Sequence, residues 1–426
     1  MKFTHAFAAL VAATLILSTT GTSAGETIKC TDASMKNASA CLDAGNTGPK
    51  LPPGEKPPQF VLFTHDDAIT TQTFDLFNSI KRCGAPATFF THEIRTKCEY
   101  AKALWKNGDE IALHTVNHLH LTGVPEAQLR TEMFGVRTFL NETCGIPLEA
   151  MVGYRAPFLD TDTAVRRALY ADGNMRYDST YNEIYPSEWS TDAANRLWPH
   201  TEHDPSGPFK NAAAGAVESY PGMWSVPLNA VQDASKGTEF SMDPLVNSPT
   251  HEPDGVKNYT YGSAADVLAI LKLNFDEVYA GSRAPTGVFI HSVWLSNPGY
   301  TDAMSEYIAY VNSHADARFV TTTQLINWLE NPIPASQMPP ADLTCRTAVV
   351  EIPHESFWDR TWHYWLVAFI ICGPVLLIIT VVGTIAAVQG CVRRRRERAL
   401  TAVAAPTPTP LPVSVPFSVT PIDDIA

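Results

Sequence analysis

Two pairs of side chains in this sequence have types and spacing that suit metal binding and proton transfer. Asp66 and Asp67 stand side by side after an apolar run, and His114 and His118 are four positions apart. Two imidazoles and one carboxylate with an open fourth position are typical of a catalytic metal site, and the second carboxylate can serve as a general base. This set predicts hydrolysis of an amide, because a bound metal polarises a carbonyl and lowers the pKa of water.

Other polar residues follow other predicted strands: Arg155, Asp178 and His291. Taken singly, each pattern has a simpler interpretation, such as a helix cap for the aspartates or a core position for His291, and His120 is an alternative partner in the histidine pair. Together they predict a site, because the carboxyl ends of barrel strands meet at one rim. No G-x-S-x-G or other nucleophile motif competes with it.

The elements that must position these residues are short β-rich runs that alternate with helical stretches. The predicted strands are Phe60–Thr64, Ala87–Thr91, Glu110–Leu113, Met151–Tyr154, Met175–Asp178, Gly222–Leu228, Gly287–His291 and Arg318–Thr321. Alternation of this kind predicts a parallel α/β sheet closed into a (β/α) barrel, with an open doubly wound sheet as the alternative. Thr96 and Glu99 have the spacing of a capping box that opens the second helix. A dinucleotide site is not predicted, since no G-x-G-x-x-G follows the first strand.

Both ends of the chain carry apolar segments. Residues 1–24 have the charge, apolar run and small-residue end of a secretory signal peptide. Trp365–Val388 contains 24 residues without a charge, enough to cross a bilayer, and the arginines from Arg393 onward follow directly. By the positive-inside rule, we expect a single-pass type I protein of the cell membrane with an extracellular catalytic domain and a cytoplasmic C-terminus.

The expected domain division follows from these patterns. It comprises a signal peptide (1–24), a leader segment (25–58), a catalytic domain (59–331), a stalk (332–364), a transmembrane helix (365–388) and a disordered cytoplasmic tail (389–426).

The composition limits the partners of the extracellular part. The net charge is −13 although the tail is basic, which argues against binding to nucleic acid. Six of the eight cysteines precede the membrane segment and could pair; Cys30–Cys41 and Cys83–Cys98 are favoured because both are local. Three glycosylation sequons are present, at Asn37, Asn141 and Asn258.

In this order, the strand-end motifs resemble those of the polysaccharide deacetylase (NodB-homology) family, and most closely its arthropod-like chitin deacetylase branch. The resemblance covers about Pro58 to Pro332 and includes Ala87-Thr88-Phe89-Phe90, Gly108-Asp109-Glu110-Ile111-Ala112 and Val288-Phe289-Ile290-His291. It implies a distorted (β/α)7-type barrel that removes N-acetyl groups from chitin-like polymers of N-acetylglucosamine.

The resemblance also implies roles for individual residues. Asp66 would be the general base and His291 the general acid, with Asp67, His114 and His118 as ligands of a divalent metal such as Zn²⁺. Arg155 would hold Asp66, Asp178 would orient His291, and the backbone N–H of Phe158 would stabilise the oxyanion. Trp294 is the best candidate for stacking on a sugar ring, ahead of Trp189, Trp198 and Trp224.

Four positions depart from the family pattern. Ala68 replaces the widespread Gly, Phe158 stands where Tyr is common, and Ser292 stands where many relatives have Asp. His65 stands where Phe is usual, so it is either a packing replacement or a group that shifts the pKa of Asp66 or offers an extra ligand. The competing functions are a catalytically silent, membrane-anchored glycan-binding protein and a deacetylase of another polysaccharide, such as xylan or peptidoglycan. Retention of the whole catalytic set favours the enzyme.

Overall fold

The computed structural model describes residues 48–182, 196–202, 210–211, 216–217, 220–233, 238–247, 260–351 and 377–396. Several features predicted from the sequence lie outside the described residues: the signal segment, Asn37, Asn258, Trp189 and the pair Cys30–Cys41. The chain divides into two compact units, Met1–Glu351 and Ile352–Ala426, and each is described by itself.

The first unit is an α/β domain. Its strands are β1 Gln59–Asp66, β2 Thr88–Thr91, β3 Glu110–Leu113, β4 Gly153–Tyr154, β5 Tyr177–Asp178, β6 His200–Glu202, β7 Lys210–Asn211, β8 Ala216–Val217, β9 Tyr220–Ser225, β10 Val231–Asp233, β11 Thr238–Phe240, β12 Val246–Asn247, β13 Thr260–Tyr261, β14 Thr286–Ile290 and β15 Ala317–Val320. Its helices are α1 Thr71–Ser79, α2 Cys98–Lys106, α3 Glu126–Glu142, α4 Thr163–Asp172, α5 Ala264–Ala280, α6 Ser292–Leu295, α7 Tyr300–Asn312 and α8 Thr322–Glu330.

The main sheet runs in the order β14-β1-β2-β3-β4-β5-β9-β6, and β15 also pairs with β1. Every pair in it is parallel except β6 with β9. All eight strands predicted from the sequence are present, and they are the eight parallel members. No pairing among the described strands joins β14 to β9 or β6, so the barrel is incomplete.

The sheet encloses a core of its own, which distinguishes a curled barrel from an open sheet. Along β1, Val61 and Phe63 face the helices, whereas Phe60 and Leu62 face the inside of the curl. The inner core also contains Trp224 of β9 and residues of α8. The predicted distorted barrel is therefore confirmed.

Side-chain caps fix several helix starts. The Thr70 hydroxyl accepts a hydrogen bond from Thr73 N, and Thr321 forms a capping box with Gln324. The predicted capping box at Thr96 is wrong. Helix α2 begins at Cys98, and the Thr96 hydroxyl instead donates to His92 O while accepting from Ile69 N, so it ties together the loops after β1 and β2.

Two disulfides are described, Cys83–Cys345 and Cys98–Cys144. The predicted Cys83–Cys98 bond is therefore wrong. Cys83 precedes β2 and Cys98 follows it, so these two residues lie beyond opposite ends of that strand. Closeness in sequence is a poor guide to pairing wherever a buried strand intervenes.

Residues 332–351, which we call the strap, pack against the rest of the first unit rather than forming the free stalk expected from residue 332. Ala335 N donates to Lys56 O at 2.9 Å, and Ala348 exchanges two hydrogen bonds with the Asn78 side chain. Gly84 N donates to Thr344 O beside the Cys83–Cys345 bond. The strap is thus held along its length, and any stalk begins after it.

Two further predictions, the Asn141 sequon and the membrane segment, concern residues in the described ranges. Asn141 lies at the end of α3 with a half-buried side chain, and its Nδ2 donates to Ile146 O at 2.9 Å. In the second unit, helix Leu377–Arg396 is long and apolar enough to cross a membrane by length and composition. It overlaps the C-terminal half of the predicted segment Trp365–Val388 and continues through the arginines.

Candidate active site

The carboxyl ends of the parallel strands surround a cavity of about 360 Å³. Its wall includes five predicted site residues, namely Asp66, His114, His118, Phe158 and His291. These residues follow β1, β3, β4 and β14, which are scattered through more than 200 residues of sequence but lie close together in the sheet. The predicted meeting of strand ends is confirmed.

The two adjacent aspartates point in different directions because the backbone changes conformation between them. Asp66 ends β1 and keeps the alternation of that strand, so its side chain enters the curl and is buried. Asp67 has φ 87°, a left-handed conformation that non-glycine residues rarely adopt. Its carboxylate consequently faces the histidines that follow β3.

Asp66 is fixed by Arg155, whose guanidinium is completely buried. Arg155 Nη1 lies 2.5 Å from Asp66 Oδ1 and also donates to the Thr64 hydroxyl, while Nε and Nη2 donate to the carbonyl and hydroxyl of Ser179. The guanidinium stacks 4.0 Å from the centre of the Phe90 ring. A buried ion pair with this many additional hydrogen bonds holds the carboxylate in one position.

Asp67, His114 and His118 form a candidate metal centre. Their donor atoms all lie within 4.8 Å of one another, with Asp67 Oδ1 3.2 Å from His118 Nε2 and 3.9 Å from His114 Nε2. Ligand atoms around a tetrahedral zinc stand about 3.3 Å apart, given metal–ligand bonds of about 2.0–2.1 Å. The three donors therefore fit such an ion with little rearrangement.

The protonation of these donors also suits a metal. His114 Nδ1–H donates to Arg155 O at 2.8 Å, which turns the unprotonated Nε2 toward Asp67. Burial lowers the pKa of His114 to about 4, so its imidazole is neutral. Burial alone would raise the pKa of Asp67, but the imidazoles of His118, His291 and His114 outweigh it and keep that pKa well below its usual range. Metal ligands must be deprotonated in this way.

His291 is paired with a carboxylate that the sequence did not single out. Its Nδ1 lies 2.6 Å from Asp243 Oδ2, and its backbone N–H donates to Asp243 Oδ1 at 2.8 Å. Burial alone would lower the pKa of His291, but Asp243, with Asp66 and Asp67 beyond it, raises that pKa to about 9. The imidazole is therefore protonated at neutral pH and can act as an acid.

Comparison with known proteins agrees with this geometry. A family model for polysaccharide deacetylases matches residues 53–176. Chitin deacetylase 8 of Bombyx mori is 28% identical over 297 residues, which are 65% of this chain and 72% of that protein. Chitin deacetylase 1 of Bombyx mori is 27% identical over 315 residues, 68% of this chain and 54% of that protein. The chain thus contains a match to the polysaccharide deacetylase domain over residues 53–176.

A solved structure of a polysaccharide deacetylase from Mycobacterium smegmatis is also similar, with a TM-score of 0.47 and 20% identity. The match covers 70% of this chain and 97% of that one.

Among the described residues, Asp178 makes no contact with His291, so its predicted orienting role is wrong. Asp178 Oδ1 accepts from the N–H and hydroxyl of Thr180, and that hydroxyl accepts from Ala156 N at 2.9 Å. Asp178 thus supports the turn that carries Arg155. Burial raises the pKa of Asp178 to about 6. Asp243 makes the contact with His291 that was expected of Asp178. It can do so because Asp243 N donates to Phe289 O, which holds the 241–245 turn against β14.

Another residue missed from the sequence is His92, directly after β2. Its side chain is almost buried, and its Nε2 lies 3.9 Å from Asp67 Oδ1, the same distance as His114 Nε2. Its ring centre is 5.5 Å from that of His118. The position at a strand end was the available signal, since Asp66, His114 and His291 were found that way.

Phe158 has the backbone expected of an oxyanion donor. It sits at φ 57° in the short turn Pro157–Leu159, and its N–H makes no hydrogen bond to any residue in the described part of the chain. Phe158 is 56% exposed and borders the cavity, and its ring stacks on His120 with ring centres 3.9 Å apart. His120 is therefore part of the rim rather than of the candidate metal centre.

The predicted sugar-stacking role of Trp294 is wrong. Trp294 is 0% exposed, and its Nε1–H donates to Pro244 O at 2.9 Å. It anchors the turn that carries Asp243. Trp198 and Trp224 are likewise buried in the inner core.

Backbone strain is concentrated around the candidate site. Asp67, His118, Phe158 and Asp243 all have positive φ, which costs of order 1–3 kcal/mol per residue and persists only where the surrounding structure enforces it. Two candidate metal ligands, the carboxylate partner of His291 and the candidate oxyanion donor thus depend on conformations that ordinary turns avoid. Such clustering is typical of functional sites.

Proposed function

We propose that this protein is a metal-dependent N-deacetylase of a chitin-like polymer at the cell surface. The main support for the proposal is that a candidate base, a candidate acid and a candidate metal centre border one cavity but are separate groups. A carboxylate held by Arg155 and an imidazolium held by Asp243 both face the space beside the Asp67, His114 and His118 donors.

Asp67, His114 and His118 would hold the metal, with zinc the first choice for one carboxylate and two imidazoles. When bound, the metal supplies a Lewis acid for the acetyl carbonyl and lowers the pKa of water at the site.

The chain's own residues supply the proton transfers. Asp66, immobilised by Arg155, accepts the proton of the attacking water. The Phe158 N–H donates to the developing oxyanion. His291, kept protonated by Asp243, then donates its Nε2 proton to the leaving nitrogen, and acetate and a free amine result.

Two observations support an N-acetylated sugar as substrate. The similar Bombyx mori proteins are named chitin deacetylases, and Leu159, Met242 and Val246 give the cavity an apolar side suited to an acetyl methyl group. The exposed Phe158 ring at the rim supplies a face on which a pyranose can stack.

The signal segment, the two disulfides and the apolar C-terminal helix support a type I arrangement with the domain outside the cell.

The test is acetate release by the full chain in detergent, with chitin oligomers, acetylated xylan and peptidoglycan as parallel substrates. We expect release from chitin oligomers that a chelator abolishes and added Zn²⁺ restores. Asp66→Asn should abolish release yet keep the metal content, whereas Asp67→Ala should lose both. Asn is preferred at Asp66 because it keeps an acceptor for Arg155 Nη1, whereas Ala would leave that group with only the Thr64 hydroxyl.

Release that persists with chelator and in both variants would refute the mechanism. Metal binding and chitin binding without acetate release would instead identify a glycan-binding protein. Release from xylan or peptidoglycan alone would assign another polymer.

A further inference from the structure

A second cavity, of about 430 Å³, lies at the amino ends of the parallel strands, whereas the candidate active site lies at their carboxyl ends. The amino ends of β1 and β15, the turn after α1 and the strap enclose it. Phe60, Phe319 and Trp328 form an aromatic part of its wall. The proposed deacetylation makes no use of this space.

The charged residues that line this cavity are mainly basic, although the protein as a whole carries −13. Arg82, Arg318 and Arg346 contribute three guanidiniums, against the carboxylates of Asp109 and Asp342. Arg82 forms a bidentate pair with Asp109, and Arg346 pairs with Asp342. One positive charge is therefore left without a counter-ion.

That charge belongs to Arg318 on β15. Its half-buried side chain makes no hydrogen bond or ion pair with any residue in the described ranges, and its Nε is shielded from solvent. Burial with no acidic neighbour lowers the pKa of Arg318. Guanidiniums elsewhere in the domain, such as those of Arg137 and Arg283, are paired with carboxylates. A half-buried arginine without an acceptor is costly unless a ligand supplies one.

Arg82 offers a second unused donor to the same cavity. Its Nη1 and Nη2 bind Asp109, but its buried Nε has no acceptor. The cavity wall thus contains two shielded guanidinium N–H groups that no described atom satisfies.

We propose that this cavity binds an oxyanion group (a phosphate, a sulfate or a carboxylate) carried by a small molecule, with Arg318 as its main contact. A planar guanidinium matches such groups with two parallel hydrogen bonds. The aromatic wall favours a ligand that also presents a ring face. A sugar acid and a free inorganic anion share this chemistry.

The position of the cavity predicts what binding would do. Its walls come from the barrel and from the strap, where Arg346 lies over Gly108 and Asp342 lies over Gly84. An anion between them offsets the charge of Arg318 and links the two parts. Binding should therefore raise the melting temperature without requiring the active site.

The experiment is thermal unfolding of the full chain, titrated separately with inorganic phosphate, sulfate, acetate and glucuronate, with chloride holding the ionic strength constant. At least one anion should give a saturable rise in Tm, about 4 °C at a hundredfold excess over Kd. A stronger response to glucuronate than to acetate would assign the ring as part of the ligand. The Asp66→Asn variant should show the same rise.

Arg318→Met should lose the rise but keep or slightly increase the Tm without anion, because it removes an unpaired charge. Arg167→Met, at an exposed position of α4, is the matched control and should behave as wild type. If Arg318→Met fails to fold, Arg318→Lys should fold and bind at least about tenfold more weakly. An equal rise in wild type and Arg318→Met, or no saturable rise with any of the four anions, would overturn the proposal.

Discussion

His65 Nε2 lies 2.8 Å from the hydroxyl oxygen of Ser292, and this contact joins two of the positions at which the chain departs from the family pattern. The Ser292 hydroxyl also lies 2.8 Å from that of Thr73. The imidazole of His65 is completely buried and packs against the rings of Phe77 and Phe89. His65 therefore belongs to the packing between β1 and the helices, with one polar contact to the residue after the proposed acid.

The first prediction is that His65→Phe leaves the pH dependence of acetate release unchanged. Burial lowers the pKa of His65 to about 3, so the ring stays neutral throughout the working range and transfers no proton. Loss of the Ser292 contact should cost about 1 kcal/mol of stability, since Ser292 keeps Thr73 as a partner. The checks are a pH–rate profile and urea unfolding. A displaced acidic or alkaline limb would show that His65 acts on Asp66.

The second prediction concerns Asp243→Asn. Removing this carboxylate should lower the pKa of His291 from about 9, so the acid loses its proton at lower pH and the alkaline limb of kcat moves down. The rate at neutral pH should fall by roughly 100-fold, the low end of what a positioned proton donor contributes.

The matched control is Asp178→Asn, which should leave the alkaline limb in place because Asp178 contacts Thr180 instead of His291. Stability provides a second readout. Because the folded pKa of His291 exceeds the usual 6.5, its pairing stabilises the fold below about pH 6.5, and this contribution is lost as pH rises through about 9. Unchanged pH dependence in Asp243→Asn would contradict the pairing.

The third prediction is that His92→Phe weakens metal binding by about 10- to 100-fold, the usual effect of removing a group that supports a ligand. His92 Nε2 faces Asp67 and is expected to hold that carboxylate in its strained conformation. Titration with a competing chelator measures the affinity directly. His120→Phe is the control, since His120 stacks on Phe158 at the rim and should not alter metal affinity.

The fourth prediction is that substitutions of Phe158 and Trp294 affect different parameters. Phe158→Ala should raise KM for chitin oligomers about tenfold, because the exposed ring borders the cavity while the backbone donor is retained. Trp294→Phe should leave KM unchanged but lower the Tm and kcat, because it frees Pro244 O beside Asp243. Steady-state kinetics and thermal unfolding distinguish the two outcomes. A raised KM in Trp294→Phe would show that the buried ring reaches substrate.

The strand ends were predictable because short, apolar, β-rich runs in the sequence indicate buried parallel strands. Polar residues directly after such runs are then easily recognised. This logic located Asp66, His114, Arg155 and His291, and applied to β2 it would also have located His92. It failed for Asp243, which lies in a turn between short antiparallel strands where no regular pattern indicates a neighbour.

The parallel α/β sheet, the donor types and the apolar C-terminal helix were predictable from the sequence, because they depend on local composition and spacing. Three outcomes required the folded structure: the pairing of His291 with Asp243, the pairing of the cysteines, and the burial of Trp294 in the core. Those outcomes depend on contacts between segments far apart in the chain. They are set by how the sheet curls and by backbone strain at residues such as Asp67, which no local pattern encodes.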